Sequence, residues 1–155
     1  MTLFVLLSCK KESASKVDIY MLKSFTTSIN RTTSPGAISI SNAILADTTL
    51  VADSEIESYT QSTTTFKLRK DISSIIRNYS TNKAFAVTVD NKPVYYGLFH
   101  PGYLSSITFG LATIDPLNQQ LRINFTSNGS SDMLRLDKRN DSRIINSLRK
   151  SQRLK

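Results

Sequence analysis

The sequence predicts an α+β domain in which an antiparallel sheet carries one main helix packed on a face and ends in a short C-terminal helix. Three observations indicate this class. Short runs of alternating apolar residues recur along the chain, a helical apolar period follows Asp71, and a second one follows Asp141. Runs of strands with segregated helices are typical of α+β domains.

The N-terminal third predicts two strands. Residues 16–23 alternate, with Val17 and Ile19 on one side, as expected of a strand with one buried face. The Ser- and Thr-rich stretch 24–36 ends in Ser-Pro-Gly and is predicted to be a loop. Residues 37–46 begin by alternating and are predicted to form the second strand.

The main helix is predicted to begin after Asp71, which is a favourable N-cap residue. Four apolar side chains follow at the i, i+3, i+4 and i+7 spacing of one helix face, namely Ile72, Ile75, Ile76 and Tyr79.

Further strands are predicted after this helix. Residues 84–90 and 94–99 flank an Asn-Lys-Pro turn and indicate an antiparallel hairpin. Residues 105–114 and 120–125 alternate as well. Asp141 or Ser142 is expected to cap the C-terminal helix, and residues 151–155 are expected to fray.

The composition bounds the class of protein. A chain of 155 residues predicts one domain, and 39% hydrophobic with 21% charged residues is typical of a globular protein. Cys9 and His100 are the only residues of their types, which excludes an internal disulfide and a Cys/His zinc site within one chain. No phosphate loop or calcium-loop spacing is present, so no metal and no cofactor are expected.

The net charge of +8 is concentrated at the C-terminal end. Residues 132–155 hold eight basic and three acidic side chains, a net charge of +5. Such an end could contact anionic lipid, lipopolysaccharide phosphates or nucleic acid. The charges are interrupted and no aromatic residue lies among them, so a solvated helix end is the favoured interpretation and nucleic acid an unfavoured partner.

The first nine residues form a short apolar run that ends in Ser8-Cys9, and Lys10-Lys11-Glu12 follows at once. This segment resembles the end of a lipoprotein signal peptide, with Leu6 three residues before the cysteine, although Leu7 is bulkier than usual. The resemblance implies cleavage before Cys9 and acylation of its thiol, which anchors the chain to a membrane.

Such a signal should open with basic residues, and none precedes Cys9, so the natural start is expected to lie upstream of Met1. The alternative is that residues 1–9 form a buried strand and that Cys9 is a buried thiol. The lipoprotein interpretation divides the chain into a signal peptide (1–9), a tether (10–15), an α+β domain (16–137) and a basic C-terminal helix (138–155).

Two family resemblances follow. The Cys9–Glu12 segment after an apolar run is similar to the start of small, uncharacterised Bacteroidetes-type lipoproteins. That resemblance implies lipid anchoring to the outer membrane, on its periplasmic or surface face. Residues 50–97 are similar in layout to the periplasmic head domain of the SecD translocase subunit, which implies a small α+β unit but no translocase activity.

The candidate ligand surface comprises the aromatic residues and histidine of one strand and the loop after it: Tyr95, Tyr96, His100 and Tyr103. Loops at strand ends often carry function. Alternating aromatic residues also fill a core on one face and shield a sheet on the other, which is the competing interpretation. No catalytic residue is assigned.

Together these patterns predict a non-enzymatic cell-envelope lipoprotein that binds an envelope protein or glycan. Two alternatives remain at this point. One is an envelope hydrolase built around His100, and the other is a cytosolic nucleic-acid-binding module that uses the basic residues of 135–155.

Overall fold

The computed structural model describes residues 15–155, and one eight-stranded sheet dominates them. Strands make up 44% of these residues and helices 14%. The strands are β1 (Val17–Ile29), β2 (Ile38–Val51), β3 (Ile56–Thr60), β4 (Thr65–Leu68), β5 (Ala84–Val89), β6 (Lys92–Phe99), β7 (Ala112–Ile114) and β8 (Leu121–Phe125). The helices are α1 (Ser73–Ile76), α2 (Ser131–Leu134) and α3 (Ser142–Lys150), and a 3₁₀ turn covers Asp53–Glu55.

The strand order across the sheet is β2-β1-β5-β6-β7-β8-β4-β3. Neighbouring strands are antiparallel except β6 and β7, which run parallel with Gly97 opposite Ala112. A parallel pair needs a crossover connection, and here residues 100–111 provide it.

The sheet must curl, because its two edge strands are joined by a very short connection. Strands β2 and β3 lie at opposite ends of the order, yet only residues 52–55 separate them. A flat eight-stranded sheet would place its edges about 34 Å apart. The five peptide steps from Val51 to Ile56 span at most about 18 Å. The sheet therefore bends until these edges approach each other.

The main hydrophobic core lies on the inner face of this curl. Helix α3 contributes Ile144, Ile145 and Leu148, which belong to the same buried cluster as Phe85 and Val87 of β5. A second cluster covers the other face of the central strands and includes Leu22, Ala84, Ala86, Leu98 and Leu111. Strand β5 is thus buried on both faces, as a central strand should be.

The predicted α+β class with one main helix is wrong. Helix α1 has four residues and ends at Ile76, before Tyr79 of the expected apolar face, and Ile75 remains 49% exposed. After Ile76 the chain turns, since the Tyr79 amide donates to the Ile76 carbonyl. Residues 78–82 are Asn, Tyr, Ser, Thr and Asn, and the short polar side chains among them compete with helical hydrogen bonds. The fold is a curled mixed sheet with small helices.

Two strand predictions also require correction. Residues 24–29 extend β1 instead of forming a loop, with Ile29 opposite Ile38. Ser and Thr side chains suit the exposed face of this ladder. The strand expected over 105–114 is limited to β7, and Phe109 forms single bridges to Ala37 and Thr126.

The last residues of the chain do not fray but lie along the outer edge of β3. The Tyr59 amide donates to the Arg153 carbonyl at 2.8 Å, and the Lys155 amide donates to the Tyr59 carbonyl at 2.8 Å. The Gln61 amide donates to the Lys155 carbonyl at 3.0 Å. This tail covers hydrogen-bonding groups that an edge strand would otherwise expose.

Asp53 joins the connection between the sheet edges to two other parts of the chain. Its carboxylate Oδ1 accepts from the Val17 amide at 2.8 Å and from Arg153 Nη2 at 2.6 Å. Arg153 Nη1 also donates to the Asp53 carbonyl at 2.6 Å, and the Asp53 amide donates to Asp18 Oδ1 at 2.7 Å. One carboxylate thus connects the start of β1, the edge connection and the C-terminal tail.

We expect Arg153→Met to lower the free energy of unfolding by about 2–3 kcal/mol, because it leaves a largely buried carboxylate without its ion pair. The Arg153 side chain is 14% exposed. Arg135→Met is the matched control, since Arg135 is 81% exposed and lies 3.9 Å from Asp132. It should change the free energy by no more than about 0.5 kcal/mol. Equal effects in urea unfolding would contradict the role given to Arg153.

Candidate functional site

The predicted aromatic surface does not form as one surface. Tyr95 is buried in the main core, whereas Tyr96 packs against the second cluster on the opposite face of β6. Successive residues of a strand point to opposite faces, so these two rings cannot line one site on the sheet.

The other two residues of the predicted surface lie in the loop after β6. His100 is half-buried, with its Nδ1 3.3 Å from Thr108 Oγ1 and its amide donating to the Ile114 carbonyl. Tyr103 is 73% exposed. Within residues 15–155 no carboxylate hydrogen-bonds His100.

Cys9, the predicted lipid-attachment residue, lies outside the described residues. Within the part of the chain that is described, no three potential metal ligands from Asp, Glu, His and Cys cluster together. Over the same residues, no helix combines the length and the hydropathy needed to cross a membrane.

Tyr95 has the one buried side-chain polar atom without a hydrogen-bond partner in the described chain. Burial raises the pKa of its hydroxyl well above the usual range, and the nearby Tyr59 acts in the same direction. The hydroxyl is therefore neutral at physiological pH, and Tyr95 packs in the hydrophobic core.

Part of the basic C-terminal region is engaged in internal contacts, as Arg139 shows. Arg139 Nε and Nη2 donate to the two carboxylate oxygens of Asp137 at 2.9 and 2.7 Å. Its Nη1 donates to the Ile123 carbonyl at 3.0 Å, and the guanidinium carbon lies 5.6 Å from the Phe125 ring centroid. Arg139 thus attaches the segment before α3 to β8.

Three other arginines of this region have acidic partners as well. Arg143 pairs with Asp141 at 2.8 Å, Arg153 with Asp53 at 2.6 Å, and exposed Arg135 with Asp132 at 3.9 Å. Asp132, Asp137 and Asp141 are already included in the net charge of residues 132–155, so Asp53 is the one acidic partner in these pairs that comes from elsewhere in the sequence.

A groove of about 680 Å³ lies on the surface of the sheet and is here called the polar groove. It lies among the β3–β4 ribbon, residues 69–73, the turn at 118–120 and the C-terminal residue. Its wall carries five basic side chains and one acidic one: Lys67, Arg69, Lys70, Arg122, Lys155 and Asp71. Amides and hydroxyls complete the polar lining, notably Asn118, Gln119, Gln120, Thr60, Thr63 and Thr65.

Strand pairing places these polar residues together. Thr60 lies opposite Thr65, and Thr65 lies opposite Arg122, so one cross-strand row spans β3, β4 and β8. Because side chains alternate along a strand, Lys67 shares the exposed face with Thr65, while Phe66 faces the core. Arg69 directly follows the strand and is exposed on the groove wall.

Two of the groove cations are paired and three are not. Lys67 contacts Glu57 at 2.7 Å, and Lys70 contacts Glu55 at 2.6 Å. Arg69, Arg122 and the Lys155 ammonium have no ion pair within 4.0 Å among residues 15–155. The five side-chain cations outnumber the three side-chain carboxylates of Glu55, Glu57 and Asp71 by two.

Sequence reasoning missed this groove, although part of its signal was local. Phe66-Lys-Leu-Arg69 and Leu121-Arg-Ile123 each alternate apolar and basic residues, which indicates strands with basic outer faces. The pairing of β4 with β8 joins residues distant in sequence, and no local pattern revealed it.

Comparisons with protein-family models, with curated proteins and with solved structures gave no match to this chain. The candidate site therefore rests on the geometry above.

Acid should destabilise the fold through its paired carboxylates. Burial raises the pKa of Asp137, but the hydrogen bonds from Arg139 outweigh it, and the net pKa is lowered. The hydrogen bond from Lys70 lowers the pKa of Glu55, and that from Arg143 lowers the pKa of Asp141. A lowered folded-state pKa stabilises the fold above the ordinary carboxyl pKa, and this stabilisation is lost as the pH falls toward the lowered value.

We expect the free energy of unfolding to be constant from pH 7 to about 5 and to fall below about pH 4. Asp137→Asn should be less stable at pH 7 and should lose less stability on acidification. Urea unfolding at several pH values tests this, and parallel curves for the two proteins would contradict it.

Proposed function

We propose that this chain is a non-enzymatic, lipid-anchored protein of the bacterial cell envelope that binds an envelope component in its polar groove. The sequence around Cys9 supports the anchor. The observation that carries the binding role is the polar groove, whose three cations without ion pairs face solvent beside free amides. Polar and charged groups that converge on a concave site can fix the orientation of a ligand there.

The arrangement favours binding over hydrolysis. Within the described part of the chain, no histidine or cysteine lines the polar groove, and its lining carboxylate, Asp71, accepts a hydrogen bond from the Ser73 backbone amide at 2.8 Å. His100 contacts the Thr108 hydroxyl instead of a carboxylate that could orient it as a base.

The arrangement also argues against nucleic acid as the partner of the C-terminal region. Arg139, Arg143 and Arg153 are engaged by acidic side chains and by backbone carbonyls. Phosphate contacts require cations that can turn toward the ligand.

Palmitate labelling of the full-length native gene product tests the anchor. We expect label and membrane association in the native protein and neither in Cys9→Ser, because only the thiol can carry the diacylglycerol. A soluble, unlabelled native protein would refute the lipoprotein and its envelope location together.

Photo-cross-linking in intact cells tests the groove independently of the ligand's identity. A photoreactive residue replacing exposed Gln119 should give a heavier product, whereas one replacing Thr48, exposed on β2 away from the groove, should not. Identical patterns from the two positions, or none from Gln119, would refute a binding role for the polar groove.

A further inference from the structure

The charged groups of the polar groove are suited to anionic ligands. Arg69 and Arg122 present guanidinium groups without ion pairs in the described chain, and a guanidinium can bind a carboxylate or phosphate through two parallel hydrogen bonds. Lys67 lowers the pKa of Glu57 by hydrogen bonding, and Arg69 and Lys155 lower it further by their charge. Arg122 lies opposite Thr65 of β4, and Arg69 directly follows that strand, so both guanidinium groups border the same groove.

The neutral polar groups are suited to hydroxyls. The side-chain amides of Gln119 and Gln120 are exposed and have no hydrogen-bond partner among residues 15–155. Asn118 Oδ1 accepts from the Gln120 backbone N–H at 3.2 Å, which fixes the Asn118 side chain and leaves its NH₂ group available. Amides both donate and accept, as recognition of a hydroxyl-rich ligand requires.

The apolar lining excludes other ligand classes. Among residues 15–155, Phe66 is the only aromatic residue on the groove wall, and it is 1% exposed and packed against Tyr59 with the ring centroids 4.5 Å apart. A nucleobase would therefore find no ring for stacking. Ile72, Ile76 and Leu121 are also buried, and Leu68 is partly buried against the core, so a protein partner would find no prominent apolar anchor.

Building on the proposed function, we propose that the polar groove binds an anionic glycan. The carboxylate or phosphate groups of the glycan contact Arg69 and Arg122, and the hydroxyls of the glycan contact the side-chain amides of residues 118–120.

Calorimetric titration of the full chain with an oligogalacturonate, its methyl-esterified form and a phosphorylated mannan oligosaccharide tests this ligand class. We expect at least one anionic glycan to bind at least about tenfold tighter than the neutral ester, with affinity that falls as salt is added. The tighter of the two anionic probes identifies carboxylate or phosphate as the preferred group. Equal binding of the neutral ester would overturn the proposal, as would tighter binding of a single-stranded oligonucleotide.

Substitution separates the polar groove from the overall charge. Arg69→Gln combined with Arg122→Gln should weaken binding at least about tenfold. Arg31→Gln combined with Arg135→Gln removes the same charge from exposed positions outside the groove and should change affinity by less than about twofold. Equal losses in the two double variants would show non-specific attraction and overturn the proposal. Unchanged circular dichroism spectra confirm that each variant is folded.

The cross-linking result distinguishes the two levels of the proposal. Cross-links from Gln119 without any anionic-glycan binding would mean that the groove has a ligand of another class. If Gln119 gave no cross-links and no anionic glycan bound, the ligand class and the binding role of the groove would both be rejected.

Discussion

The architecture depends on the short connection that joins the two edges of the sheet. Residues 52–55 cannot span a flat eight-stranded sheet, so the strands must curl around α3. Asp53 lies within this connection, and its carboxylate holds the start of β1 and the side chain of Arg153. The charge of Arg153, which the sequence assigns to a free basic end, is thus used inside the fold.

The same constraint places the C-terminal tail at the candidate site. Arg153 fixes the tail beside the edge connection, and backbone hydrogen bonds to Tyr59 and Gln61 then carry it along β3. Lys155 reaches the polar groove by this path. Closure of the curl and the composition of the groove are therefore linked, because the pair that stabilises the edges also delivers one of the groove's unpaired cations.

Local patterns were sufficient where a strand or helix is defined by its own residues. The alternation over 84–90, the turn that follows it and the Asp141 cap all predict elements that the structure contains. The main helix failed because Ile72 and Ile76 mark a single turn, which fills the core without any continuation. The fold class failed because curling follows from which strands form the edges, and that is a non-local property.

In the candidate site, too, local patterns predict some features, and other features depend on contacts between distant residues. Alternation alone places Tyr95 and Tyr96 on opposite faces, so local reasoning could have separated them. Which cations remain available could not be inferred from the sequence, because it depends on partners. Arg139 and Arg69 are equivalent in a charge count, yet Arg139 is held by Asp137 and the Ile123 carbonyl while Arg69 faces the polar groove. A net charge indicates how many cations a chain carries, and only the fold determines which of them can meet a ligand.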